Sequence, residues 1–404
     1  MEIAKRDIAG LSTEHQKRKR LRLPRTKILS LFVLAVLIYS LFLILKDDAS
    51  VVDFIQYWAG SIALVSNGNP YDSSTIAMLE HSIWRAHADP ILMWNPPQVG
   101  LLIFFLSFFE YQTARLIWLL LEAALVAFSI KLTFQLISSW RTGFVAYKPL
   151  HAIFLLTFYP ALLAISEGQI SPFLLFGLVL FLYFEFGPNK NPLFAGLGLS
   201  ITLIKPHLLY LIYLAVIVQS LRTKRFSLLI WFCAGAVALS VFPLIFNVDI
   251  YSKYSQAMGD PPLYWQTPTL GSYIQWLAIF PDRFARFFPT ILCAIAMVTT
   301  WILKRTELPL NVFLALIPLS VLTSPYGWVF DQMLLLPLGV SLLFCRDKCS
   351  SLKPCLFLVL SNILMMVIPS EFGQQAFIWY PLVYLLTWVI SQKENAVKAA
   401  IKGT

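Results

Sequence analysis

Five short stretches of this sequence set ionisable or amide side chains where apolar runs begin, end or break. Asp53 stands in Val51-Val52-Asp53-Phe54-Ile55-Gln56-Tyr57-Trp58-Ala59, about seven residues past the end of an apolar run. Phe54, Tyr57, Trp58 and Leu64 recur at helical spacing up to Gly68, which puts Asp53 at a helix N-terminus. There it is either an N-cap or a carboxylate free to take a proton from an attacking hydroxyl. Lys205-Pro206-His207 interrupts the apolar run 193–220. An ionisable residue inside a span is costly and demands a partner, and Pro206 breaks the helix beside it. That partner is an anionic phosphate, a carboxylate such as Glu122 or Glu185, or headgroups reached by snorkelling.

The other three stretches carry less chemistry. Trp94-Asn95-Pro96-Pro97 opens an apolar run with paired prolines, which suit a first helical turn, and leaves an aromatic residue to line a cleft. Glu167-Gly168-Gln169-Ile170-Ser171-Pro172 joins two apolar runs, and Gln169 either binds a polar headgroup or sits in a plain tight turn. Ser324-Pro325-Tyr326-Gly327-Trp328-Val329-Phe330-Asp331 ends another run. Asp331 there caps the following helix or meets a sugar or headgroup.

The elements that must position these residues are membrane helices. Of the 404 residues only 13% are charged, about half the roughly 25% of a soluble domain. In hydrocarbon each run must satisfy its own backbone, so helices are expected. Runs approaching the roughly 20 residues of a span lie near 27–46, 96–110, 114–138, 150–166, 171–187, 193–220, 226–246, 284–303, 309–323, 331–345, 354–369 and 376–391. The expectation is an all-α polytopic protein of about twelve spans. A basic segment 1–26 precedes a single membrane domain 27–391, and 392–404 forms a tail.

Charge sets the expected orientation. Lys17, Arg18, Lys19, Arg20, Arg22 and Arg25 precede the first run. Arg222, Lys224 and Arg225, Lys304 and Arg305, and Arg346 and Lys348 form later joints. Short basic loops mark the cytoplasmic side, so both termini are placed there in a multi-pass cell-membrane protein. The basic residues thus meet anionic lipid rather than nucleic acid. The joint 139–150, with Arg141 and Lys148, falls outside on this topology, and Gly168-Gln169 falls toward the cytoplasm. Two long loops, 47–95 and 247–283, are exterior; the first is acidic and the second rich in Pro, Tyr and Trp, and both suit interfacial helices. The first run is too long for a cleavable signal and lacks a small-residue cleavage site. The five cysteines show no metal-site spacing, and read as packing residues.

Taken together and in order, these stretches resemble glycosyltransferase family 87, the polyprenol-phosphate-mannose-dependent α-mannosyltransferases of the GT-C superfamily. The resemblance rests on Asp53-x-x-x-Tyr57-Trp58 with Gly68-Asn69-Pro70-Tyr71-Asp72, on Asn95-Pro96-Pro97, and on Gly168-Gln169. It continues through Ala195-Gly196 to Lys205-Pro206 and ends on Ser324-Pro325 with Trp328. It implies a GT-C-like body with an acidic catalytic residue in the first extracytoplasmic loop, here Asp53. It also implies inverting transfer of a hexose, mannose in the family, from a polyprenyl phosphate to a lipid or glycan acceptor. Lys205 would then meet the donor phosphate, with His207 or Arg85 assisting. Tyr57, Trp58, Asn95, Gln169 and Trp328 would line the cleft. An ionised phosphate leaves without a general acid. No convincing metal cluster stands in the sequence, Asp47-Asp48 lying against the end of the first run, so no cofactor or metal is expected.

Two other classes share the layout of many spans. A lipid-linked sugar flippase would more often show repeats and paired midplane charges. An O-antigen ligase or polymerase would lean on basic residues of a large later loop, where this chain has Lys253, Arg283 and Arg286.

Overall fold

The computed structural model describes residues 53–83, 89–140, 154–155, 157–277, 282–303, 308–343, 352–368 and 372–402. The basic segment 1–26, the first apolar run, Arg85, Arg141 and Lys148 lie outside the described residues. Every element among the described residues is helical. The helices are α1 (Phe54–Val65), α2 (Ser73–His81), α3 (Tyr111–Trp140), α4 (Tyr159–Ser166), α5 (Ser171–Phe186), α6 (Pro192–Ile201), α7 (Tyr210–Thr223) and α8 (Ser227–Val241). After them come α9 (Ile250–Ala257), α10 (Leu270–Trp276), α11 (Asp282–Leu303), α12 (Leu310–Thr323), α13 (Leu336–Leu343), α14 (Leu352–Val367) and α15 (Trp379–Lys402).

Among the described residues three helices are long and apolar enough to cross a bilayer: Tyr111–Trp140, Ser227–Ile245 and Arg283–Trp301. Shorter apolar helices accompany them, among them Ser171–Phe186, Pro192–Ile204, Leu310–Thr323 and Val329–Leu343. Ile230 and Val237 on α8, and Ile291 and Ile295 on α11, face outward. Such apolar surface suits hydrocarbon and not water.

Short helices pack closely here because glycine removes the side chain at their crossings. A Cβ at Gly196 of α6 would lie 2.7 Å from the Leu228 carbonyl oxygen of α8. One at Gly177 of α5 would lie 2.6 Å from the Gly198 carbonyl oxygen of α6. These contacts fix direction as well as distance. Gly196 meets Leu228 and Gly235 meets Ser200, so α6 and α8 run parallel; Gly177 faces Ile201 and Thr202 while Gly198 faces Leu180 and Phe181, so α5 and α6 run antiparallel. Along α7 and α12, Tyr210 Oη pairs with Thr323 Oγ1 at 2.6 Å, while the Leu308 N–H donates to Gln219 Oε1 at 3.3 Å. These two helices are therefore antiparallel.

This arrangement corrects four expectations. First, Lys205 is not midway along one broken span. The run 193–220 folds into a helical hairpin, α6 and α7, and Lys205 lies at its turn. The physical reason is Pro206: a residue before proline is pushed out of the α region, and Lys205 adopts φ −141°, ψ 70°. Second, the segment Pro97–Phe108 begins and ends at one end of the bundle and does not cross. Asn95 at its start touches Ile204, and Phe109 after it accepts the Trp58 indole N–H at 3.1 Å. Its 3-10 turns and twelve residues are too short for a crossing.

Third, Gln169 shares an end with Asp53 rather than lying at the opposite one. Because 97–108 turns back, α3 leaves that end, and its far end meets α5 where Trp140 Nε1 donates to the Phe186 carbonyl at 2.8 Å. The helix leading into the 139–150 joint therefore ends with the basic Arg222–Arg225 turn, not opposite it. Fourth, α1 does not lie with one face exposed: ten of its twelve residues are buried. The second long loop does carry short helices, α9 and α10.

Candidate active site

The site gathers at the end of the bundle where α1 begins, α4 turns into α5 and α6 turns into α7. Asp53 occupies the N-cap position of α1, yet its side chain makes no cap hydrogen bond. Its Oδ2 instead accepts a hydrogen bond from Gln169 Nε2. The N-cap alternative therefore fails, and the carboxylate is committed across the bundle.

Gln169 reaches Asp53 because α4 ends on glycine. Gly168 has φ +65°, the left-handed conformation that glycine adopts without a Cβ penalty. The Gln169 N–H then returns to the Ala164 carbonyl at 2.8 Å, closing the helix. Tyr57 Oη donates to Gln169 Oε1 at 3.1 Å, so the amide nitrogen is the end that faces Asp53. Trp118 Nε1 holds the Gly168 carbonyl at 2.9 Å, and its ring stacks on Tyr57 at 5.7 Å. The turn is both tight and functional in its reach.

Two residues further on, Ser171 begins α5 and meets a second acid. Its Oγ donates to Asp331 Oδ1 at 2.6 Å, and Lys205 Nζ lies 2.8 Å from the same oxygen. Asp331 Oδ2 accepts the Trp328 backbone N–H at 3.0 Å, so Asp331 caps its helix and balances a cation at once. Lys205 also sits 4.9 Å above the Phe330 ring. Both charges are buried. The ion-pair partner of Lys205 is Asp331, rather than the Glu122 or Glu185 weighed from sequence.

Electrostatics tie the two halves together. Burial raises the Asp53 carboxyl above the ordinary range; the Gln169 hydrogen bond and the Lys205 charge pull it back, and Asp331 pushes it up. Glu167, in the same turn as Gln169, is raised to about 7 by burial and by the Asp53 charge. A carboxylate with raised proton affinity beside a fixed cation is suited to proton abstraction.

The remaining sequence candidates divide. Asn95 Nδ2 donates to the Ile204 carbonyl at 3.4 Å, against the residue before Lys205, while its own carbonyl accepts from Tyr71 Oη at 3.1 Å. His207 is half-buried with its ring 6.5 Å from Tyr326. Trp328 stacks on Phe330 at 6.2 Å. Trp58 turns away from the carboxylates, anchoring Phe109 and meeting Tyr111 edge-on at 5.6 Å. Arg85 lies outside the described residues.

Sequence reasoning did not carry Asp331 or Ser171 into the site. Asp331 had a signal, as the acid closing the Ser324–Asp331 stretch. Ser171 had none beyond its place in the Glu167–Pro172 joint.

An all-helical membrane body with acids and a buried ammonium gathered at one end has the make-up of a membrane-embedded enzyme. The family model of glycosyltransferase family 87 matches residues 93–325. That is more than half of the chain, and the chain belongs to this family. It is accordingly a membrane glycosyltransferase. No curated protein and no solved structure matches it. The matched stretch includes Asn95, Gln169, Ser171 and Lys205, while Asp53 precedes it and Asp331 follows it.

Proposed function

We propose that the protein moves a hexose from a polyprenyl phosphate to a hydroxyl of a lipid or glycan acceptor, with inversion, on the extracytoplasmic side. Mannose as the sugar follows from the family likeness. Asp53 takes the hydroxyl proton while the acceptor oxygen bonds to the anomeric carbon. The bond from that carbon to the phosphate oxygen breaks, and its electron pair leaves with the phosphate. The Lys205 ammonium meets the charge growing there, with His207 at the same turn. Nothing in this sequence of events calls for a metal or cofactor.

The observation carrying this reading is the joint hold of one short turn on both acids. Gln169 bonds Asp53, and Ser171 bonds Asp331, the partner of Lys205. Base and phosphate-binding cation are thereby set in register by residues two apart. Orientation rests on charge: Arg222, Lys224 and Arg225 occupy the opposite end, which the positive-inside rule assigns to the cytoplasm, with both termini on that side.

The test is incubation of the protein in membranes with several polyprenyl-phosphate sugars and a membrane lipid extract, followed by mass analysis. New glycolipids from the wild type, absent with Asp53→Asn, are expected. Movement of intact lipid-linked sugar without a new glycosidic bond would assign a flippase instead. Full transfer by folded Asp53→Asn would remove Asp53 as the base.

A further inference from the structure

Three tryptophans from separate parts of the chain converge beside the ion pair. Phe330, beneath Lys205, stacks on Trp328 at 6.2 Å with the ring planes 24° apart. Trp328 meets Trp265 at 5.2 Å, and Trp265 meets Trp94 edge-on at 6.0 Å. Each of the three indoles stays partly exposed. The aromatic contacts therefore run without a gap from the buried cation to the partly exposed Trp94.

Arg286 fixes that surface. It is 1% exposed, and its hydrogen bonds reach two separate segments. It donates to the Leu263 carbonyl at 2.8 Å, to the Trp265 carbonyl, to Thr267 Oγ1 at 3.2 Å and to the Pro325 carbonyl at 3.4 Å. Its guanidinium lies 4.7 Å from the Tyr326 ring centroid. Burying a charge is costly unless it is fully hydrogen-bonded. Here its bonds join the 263–267 loop to the 325–326 turn, and so set Trp265 against Trp328.

We infer that Trp94, Trp265 and Trp328 form a binding subsite for a pyranose ring already present on the acceptor, with Arg286 as its positioning residue. The inference rests on the transfer reading above and narrows the acceptor to a molecule that already carries sugar. A pyranose offers an apolar C–H face that packs on an indole and hydroxyls that stay wet, which matches half-exposed tryptophans. Tryptophans serving only as an interface belt lie at the headgroup level and have no reason to converge on one another. These three converge, and their chain of contacts ends on the helix cap made by Asp331.

The experiment compares wild type, Trp265→Ala and Trp265→Phe, as full chains in lipid nanodiscs, using a donor and a glycolipid acceptor that the wild type uses. Trp265→Ala should raise the acceptor KM at least tenfold and move the donor KM less than twofold, and Trp265→Phe should restore most of the acceptor affinity. An unchanged acceptor KM, or equal shifts for both substrates, would overturn the subsite. A second arm needs no turnover: saturation-transfer NMR with soluble mannotriose, cellotriose and lactose. At least one should bind wild type and Asp53→Asn but not Trp265→Ala. Absence of binding to wild type would overturn the subsite even where transfer proceeds. Binding with no transfer by the wild type would leave the subsite standing and remove the catalytic reading instead.

Discussion

Lys205 Nζ lies 2.8 Å from Asp331 Oδ1, and both side chains are buried. Removing one member of such a pair strands the other charge in a low-dielectric setting, at a cost of about 3–5 kcal/mol. Lys205→Met and Asp331→Leu should each lower the unfolding midpoint in detergent strongly. The double variant should recover much of the loss, because two apolar groups leave no unpaired charge, yet it should stay inactive for want of a phosphate-binding cation. A double variant no more stable than either single one would show that the pair contributes nothing through charge.

Gln169 is predicted to set the proton affinity of Asp53. Its hydrogen bond favours the ionised carboxylate, so Gln169→Leu should raise the Asp53 pKa further above the ordinary range. A base works only when deprotonated. The acidic limb of the kcat/KM profile should therefore move to higher pH in this variant, and the rate on the plateau should fall as Asp53 loses its orientation. An unmoved limb would mean that a different group limits the rate at low pH.

How much of this was legible in the sequence follows from what each feature depends on. Asp53 at a helix start, Gly168 in a turn and a helix broken at Pro206 are local consequences of residue type, and all three were legible. The direction of the helices was not. Apolar runs of similar length say nothing about which of them turns back, and Pro97–Phe108 turning back reversed the expected side of both Gln169 and Trp140. Nor could the sequence choose the partner of Lys205. Glu122, Glu185 and Asp331 were all acids in or beside apolar runs, and only packing brings Ser171 and Lys205 to the same Asp331 oxygen.

The close glycine crossings should behave unequally. A methyl at Gly196 would meet the Leu228 carbonyl oxygen and the Phe232 backbone nitrogen of α8, both at 2.7 Å, and that backbone cannot yield without moving the helix. Gly196→Ala should cost about 1–3 kcal/mol and disturb the hairpin that carries Lys205. At Gly60 of α1 the nearest atom is Met93 Sδ at 3.4 Å, an ordinary contact with a flexible side chain. Gly60→Ala should be neutral, or stabilising by up to about 1 kcal/mol through helix propensity. Thermal unfolding of the two variants in detergent checks the ranking, and equal midpoints would refute the packing account.

Glu167 supplies the last prediction. Burial and the nearby Asp53 charge raise it to about 7, so it gains and loses its proton in the physiological range. The Asp53 charge can raise Glu167 only while Asp53 is already ionised, so Glu167 still holds its proton where Asp53 titrates. Glu167→Gln keeps that neutral state and the shape of the turn. It should therefore leave the acidic limb of the kcat/KM profile in place, unlike Gln169→Leu, and the double variant Glu167→Gln with Gln169→Leu should follow Gln169→Leu alone. A limb moved to higher pH by Glu167→Gln as well would mean general loosening of the turn, and one moved to lower pH would mean that Glu167 ionises before Asp53. Measuring initial transfer rates across pH 5 to 9 for the three variants, with donor well below KM, separates these outcomes.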